Sequence, residues 1–155
     1  MRALSVALAA VVCGLAACGE GPTEVVFEVI ETATFHDSLY IDLADFTELS
    51  SGVYIRDDSI GTGSMFAAGD TVSLDHTAWL TNGTRVTTGP LSIEYADSVH
   101  PVIEGLTLGI EGMAVGGTRF FIVPPELGFA SNPPFGSGIP QGAILIFEVE
   151  ILDVY

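Results

Sequence analysis

The sequence predicts an α+β fold, a twisted antiparallel β-sheet wrapped around one short helix. Three observations carry that reading. Over Thr71 to Leu80 the even positions Val72, Leu74, His76, Ala78 and Leu80 share one face, while Thr71, Ser73, Asp75 and Thr77 share the other. The last strand repeats this period of two, with Leu145, Phe147, Val149 and Ile151 set against Glu148 and Glu150. Between them, Val102, Ile103, Leu106 and Ile110 recur at a spacing that puts them on one side of a helix.

At the amino terminus Arg2 is followed by an apolar run from Ala3 to Val12 and by the small-residue site Leu15-Ala16-Ala17-Cys18, the form of an export signal. The run ends near Gly19, short of the roughly 20 residues that span a bilayer. Its close is similar to a bacterial lipobox, in which the thiol of the cysteine, here Cys18, is acylated and becomes the first residue of the mature chain. Gly19-Glu20-Gly21-Pro22 then reads as a flexible tether.

Residues 24–31 are apolar and β-branched enough for one local strand, and the mixed stretch through Leu49 reads as linker. Gly52 to Ile55 is a short strand. Asn82-Gly83 turns the long strand back through Thr84 to Thr88, and Gly89-Pro90 marks a further break before Leu91-Ser92-Ile93-Glu94. Pro101 suits the first turn of the helix, which Gly109 and Gly112 keep short. Arg119 to Val123 forms another strand, ended by Pro124-Pro125, and a Gly-, Pro- and Ser-rich loop leads to Ile139-Pro140.

Composition limits what such a domain can do. The 155 residues hold one core and leave no room for two full domains. With Cys13 in the signal and Cys18 acylated, the folded part has no thiol for a disulfide or for thiolate catalysis. There is no lysine, and removing residues 1–17 takes Arg2 and no acid, so the formal charge moves from −16 to −17. Such a surface repels phosphate backbones and excludes nucleic-acid binding. His36, His76 and His100 lack a paired spacing for zinc, and Asp42, Asp45, Asp57 and Asp58 read as solvated surface. Neither a Gly-x-Ser-x-Gly elbow nor a Gly-Lys-Ser/Thr loop occurs.

Six segments, in order, carry a family resemblance: Gly-Asp-Thr-Val at 69–72, Asn-Gly-Thr at 82–84, Val-Ile-Glu-Gly-Leu at 102–106, Gly-Met-Ala-Val-Gly-Gly-Thr-Arg at 112–119, Pro-Pro-Glu-Leu-Gly-Phe at 124–129 and Ile-Pro-Gln-Gly-Ala at 139–143. Over Ser51 to Tyr155 the chain resembles the FKBP-type peptidyl-prolyl isomerases. The resemblance implies an isomerase domain over 51–155, preceded by the lipoprotein signal peptide read over 1–17 and by a tether and N-terminal extension over 18–50 that has no match to the family. It also implies rotation of Xaa-Pro bonds in an apolar cavity, without nucleophile, metal or cofactor. The cavity would be lined by His76, Val86, Thr87, Leu91, Val102, Ile103, Leu106, Phe129, Ile139 and Phe147.

Against the family pattern, Leu106 replaces the floor tryptophan, Val86-Thr87 a Phe-Asp pair, Phe129 a tyrosine and His76 another tyrosine, while Trp79 lies on the outer face of its strand. Two roles stay open for His76: a hydrogen-bonding pair with Thr87, or an inward imidazole satisfied by neighbouring backbone. Three functions stay open as well: an isomerase, a chaperone or assembly module that binds proline segments with little or no turnover, and a structural envelope protein whose cavity has filled in and whose N-terminal segment supplies the contact surface. The expected partners are proline-containing segments of unfolded or folding exported proteins. The chain is expected to be monomeric and to touch a membrane only through the lipid at Cys18, in the bacterial cell envelope and facing away from the cytoplasm.

Overall fold

The computed structural model describes residues 24–67, 69–94 and 102–155, so the export signal, Cys18, His100 and Pro101 lie outside the described residues. Six strands form one antiparallel sheet: β1 (Thr47–Glu48), β2 (Tyr54–Ser59), β3 (Thr71–Leu80), β4 (Arg85–Glu94), β5 (Thr118–Val123) and β6 (Leu145–Val154), in the spatial order β1-β2-β5-β6-β3-β4. The alternation in β3 produces the expected faces, with Val72, Leu74, Ala78 and Leu80 buried.

Strand β4 runs unbroken through Gly89-Pro90, where the sequence predicted an interruption. Proline lacks a ladder donor and is tolerated at a sheet edge, and β4 is the edge beside β3. Pro90 pairs with Asp75 and Gly89 with His76, Gly89 at φ +129°, a conformation that suits glycine.

The one α-helix among the described residues, α1 (Glu104–Ile110), crosses the front of the sheet. It starts later than predicted. Ile103 is extended at φ −62° and ψ 141° and supplies the carbonyl for the first helical bond, so Val102 and Ile103 precede the helix instead of riding on it. Gly109 does more than shorten the element: a β-carbon there would overlap the Phe121 ring, and one at Gly105 would overlap Val123. Two glycines thus let seven residues of helix settle directly onto β5. The front core closes around Leu106, Ile110, Phe121, Phe147, Val149 and Ile151.

The back of the sheet carries a second core. Phe120, Ile122, Ile144 and Ile146 are buried there beneath Ile30 and Leu39, with Phe35, Ile41, Leu43, Phe46 and Trp79 packed around them. Residues 24–46 contain no strand, contrary to the one expected over 24–31; 3₁₀ turns occur at Ile30–Thr32, Asp37–Leu39 and Leu43–Asp45. A strand needs a ladder partner, and this segment runs across the back face, away from a free edge. Local caps close two of the turns, Ala44 N–H on Asp42 Oδ1 and Ser38 N–H on His36 Nδ1. Longer bonds hold the segment down: Glu28 N–H to the Gly142 carbonyl, Ile144 N–H to Glu28 Oε2 and His36 N–H to the Thr81 carbonyl, each 2.8 Å.

Candidate functional site

Between the front of the sheet, the start of α1 and the loop after β5 lies a cavity of about 330 Å³. Strand β3 contributes His76 and Ala78, β4 contributes Val86 and Thr87, and β6 contributes Leu145 and Phe147. Val102, Ile103 and Leu106 close one side, and Phe129, Pro134, Ser137 and Ile139 the other. The volume falls within the range of ordinary ligand pockets, and the lining is mostly aliphatic and aromatic. A groove of about 370 Å³ over Asp75, His76, Thr77, Thr88, Gly89, Thr118, Glu148 and Glu150 is the more polar of the two and does not exclude water in this way.

Nine of the ten residues singled out in the sequence come together on this wall. Leu91 does not: it pairs with Leu74 in the β3–β4 ladder and packs against the front core, away from the cavity lining. Ala78, Leu145, Pro134 and Ser137 are added. The first two share a pleat face with His76 and Phe147 and were readable from the alternation. The loop residues had no periodicity to betray them.

A β-bulge explains why consecutive residues Val86 and Thr87 both line the cavity. Ala78 pairs with Thr87 and Trp79 with Arg85, which leaves Val86 as an extra residue in β4. In a regular strand the two side chains would point to opposite faces; the bulge turns both toward the hollow. Phe147 is held by Phe121, whose ring stacks on it at 5.3 Å and 16°, and Phe121 is itself pressed by Gly109 of α1. The helix position therefore sets the cavity's aromatic wall.

His76 is satisfied by backbone, not by Thr87. Its Nδ1 lies 2.8 Å from the Gly89 carbonyl, which can only accept, so Nδ1 carries the hydrogen. Trp79 stacks on Phe120 at 6.0 Å on the back of the sheet, away from the cavity, as its place in the alternation required. The groups whose protonation the fold shifts, Glu31 and Tyr54, also sit on the back face and do not touch the cavity.

Residues 63–152 match the family model described as FKBP-type peptidyl-prolyl cis-trans isomerase. An FK506-binding protein of Neisseria meningitidis serogroup B is 38% identical over 109 residues, covering 67% of this chain and 97% of that protein. The chloroplastic peptidyl-prolyl cis-trans isomerase FKBP16-4 of Arabidopsis thaliana is 31% identical over 121 residues, 72% of this chain and 52% of the relative. Among solved structures, FkpA from Escherichia coli superimposes with a TM-score of 0.63 at 27% identity, covering 76% of this chain and 55% of that one. The chain thus spans about half the length of these last two proteins and nearly the whole of the first. With a family model matched over more than half its residues and a full-length relative at this identity, the chain belongs to the FKBP-type peptidyl-prolyl cis-trans isomerases.

Proposed function

We propose that this isomerase rotates Xaa-Pro peptide bonds of exported proteins inside the 330 Å³ cavity, while tethered to a bacterial membrane by a lipid on Cys18. The observation that carries the reading is the concentration of apolar side chains at the family's positions, with the cavity open enough to receive a proline ring. Rotation about the bond faces a barrier of about 18–20 kcal/mol because the planar amide is stabilised by resonance. At mid-rotation that resonance is lost and the oxygen and nitrogen carry less charge separation. A dry, apolar wall therefore favours the twisted amide over the planar one, and each ~1.36 kcal/mol of such preference is a tenfold gain in rate. Neither covalent bond nor metal enters this mechanism. His76, Thr87 and Ser137 are the polar side chains on the wall, and Leu106 and Phe129 offer no hydrogen bond.

The test is proline cis/trans relaxation in an Ala-Leu-Pro-Phe tetrapeptide, timed with and without protein, beside the affinity for the same peptide. Acceleration that drops at least tenfold in Ile103→Glu, which sets a charge on the apolar wall, supports the reading. Binding without acceleration favours the chaperone or assembly module instead. Incorporation of a fatty-acid analogue into the parent but not into Cys18→Ser tests the anchor.

A further inference from the structure

We infer that neutral His76 is the cavity's hydrogen-bond acceptor for a bound segment, so that ligand binding is coupled to loss of a proton from its imidazole. This rests on the proposal that proline segments occupy the cavity.

The ring's two nitrogens have been given different tasks. Nδ1 is spent on the Gly89 carbonyl at 2.8 Å. Gly89 is the residue directly opposite in the ladder, and its positive φ marks a departure from regular strand geometry at that point. Nε2 has no partner among the described residues. Since no buried side-chain nitrogen or oxygen there lacks one, Nε2 is reached by solvent. His76 borders both the cavity and the polar groove, but its side chain shares the pleat face of the buried Leu74 and Ala78, so the unpaired nitrogen is what the imidazole has to offer a ligand in the cavity. A proline-containing segment brings backbone N–H donors from residues other than proline, and a neutral imidazole whose Nδ1 holds the hydrogen accepts at Nε2.

Protonation reverses both advantages at once. It converts the acceptor into a donor and puts a positive charge on a wall built from apolar groups. The inward neighbours on the flanking strands, Val86, Thr87 and Leu91 of β4 and Phe147, Val149 and Ile151 of β6, carry no charge, and neither do Val102 and Ile103 across the cavity. Arg119 of β5, opposite Val149, faces the same side but is engaged by Asp57 and the end of α1. Asp75, Glu148 and Glu150 lie on the opposite face of the sheet, lining the polar groove there. They give the ring no hydrogen-bond partner inside the cavity. A ligand that removes water from the wall therefore selects the neutral form and expels the proton.

The experiment is calorimetric titration of the same tetrapeptide into the parent chain and into His76→Gln, from about pH 8 to about pH 5, in two buffers of different ionisation heat. The parent should lose about tenfold in affinity over that range and release protons on binding at the acid end, while His76→Gln should change less than about twofold. The ring signals of His76, followed by NMR in the parent, should titrate at lower pH with peptide present than without, a readout that needs no variant. Peptide binding with no pH dependence, or with the same dependence in both proteins, overturns the inference and leaves the cavity reading standing. Absence of binding at every pH overturns both.

Discussion

Asp57 and Arg119 face each other across the β2–β5 ladder, and Arg119 Nε donates to Asp57 Oδ1 over 2.6 Å. The same guanidinium reaches the end of α1, donating from Nη1 to the carbonyls of Gly109 at 2.9 Å and Glu111 at 3.1 Å. Helix ends leave carbonyls without intrahelical partners, and the dipole there favours a cation. Arg119 is only 8% exposed, so its bonds are shielded from water. A seven-residue helix with two glycines has little stability of its own. Arg119→Met should therefore cost about 3 kcal/mol in urea unfolding, and Asp57→Asn, at the wetter end, about 1 kcal/mol. A loss below about 1 kcal/mol for Arg119→Met would show that α1 is held by its apolar face alone.

Gly109 joins helix stability to the cavity. In an exposed helix Gly→Ala gains roughly 0.5–1 kcal/mol. Here the added methyl meets the Phe121 ring, which stacks on Phe147, and both rings are buried in a packed core. Overpacking of this kind costs about 1–3 kcal/mol, so the steric term wins. Gly109→Ala should lower the unfolding midpoint and also weaken peptide binding, through displacement of Phe147. A stabilised variant with unchanged affinity would contradict this coupling.

The elements that sequence exposed most clearly are those with one wet face. Strand β3 and the outer half of β6 alternate because their second face meets water, and β3 supplied His76 and Ala78 of the cavity. The back-face cover was harder to read, because 3₁₀ turns have no long period to detect. A signal did exist: Phe120-Phe121-Ile122-Val123 and Ile144-Leu145-Ile146-Phe147 are apolar on both faces. Such strands require a second layer. Ile30, Phe35, Leu39, Ile41, Leu43 and Phe46 provide it. Pro134 and Ser137 reach the cavity through a loop whose path depends on tertiary contacts, so nothing local announced them. Leu91 keeps the inward face but sits opposite Leu74, one inward pair farther along the ladder than His76 and Gly89, and only the paired register reveals that it lies past the end of the hollow.

The back-face cover carries a pH signature. Tyr54 Oη donates to Glu31 Oε1 over 2.8 Å. That bond, followed by burial and then by the charge on Glu31, pushes the phenol up to about 12 from its ordinary 10.0. A raised folded value means that the native state holds the proton more tightly. The stabilisation is complete below about pH 10 and disappears as pH rises toward about 12. Glu31 shifts the opposite way, lowered first by its own backbone N–H and then by the Tyr54 hydroxyl, so its contribution is present above its ordinary value of 4.5 and fades as pH falls. Melting temperature followed from neutral to alkaline pH should fall more steeply in the parent than in Tyr54→Phe, with the two curves converging near the upper end. Parallel curves would disprove the linkage.

Phe129 offers the most direct test of how much hydrogen bonding the cavity lacks. It is half-buried on the cavity wall, where the family resemblance implies a tyrosine whose hydroxyl meets the substrate. Phe129→Tyr adds one oxygen to a ring already in place, so packing is nearly conserved. A neutral hydrogen bond contributes about 0.5–1.5 kcal/mol net, which corresponds to roughly a two- to tenfold rise in tetrapeptide affinity. If the hydroxyl bonds the substrate carbonyl more strongly as the amide twists, the rise appears in kcat; if it bonds planar and twisted forms alike, KM falls and kcat stays level. Relaxation rates across a range of peptide concentrations separate the two. A Phe129→Tyr protein that matches its parent in both constants would mean that the added hydroxyl does not reach the bound segment, and that the wall's hydrogen bonding rests with His76, Thr87 and Ser137.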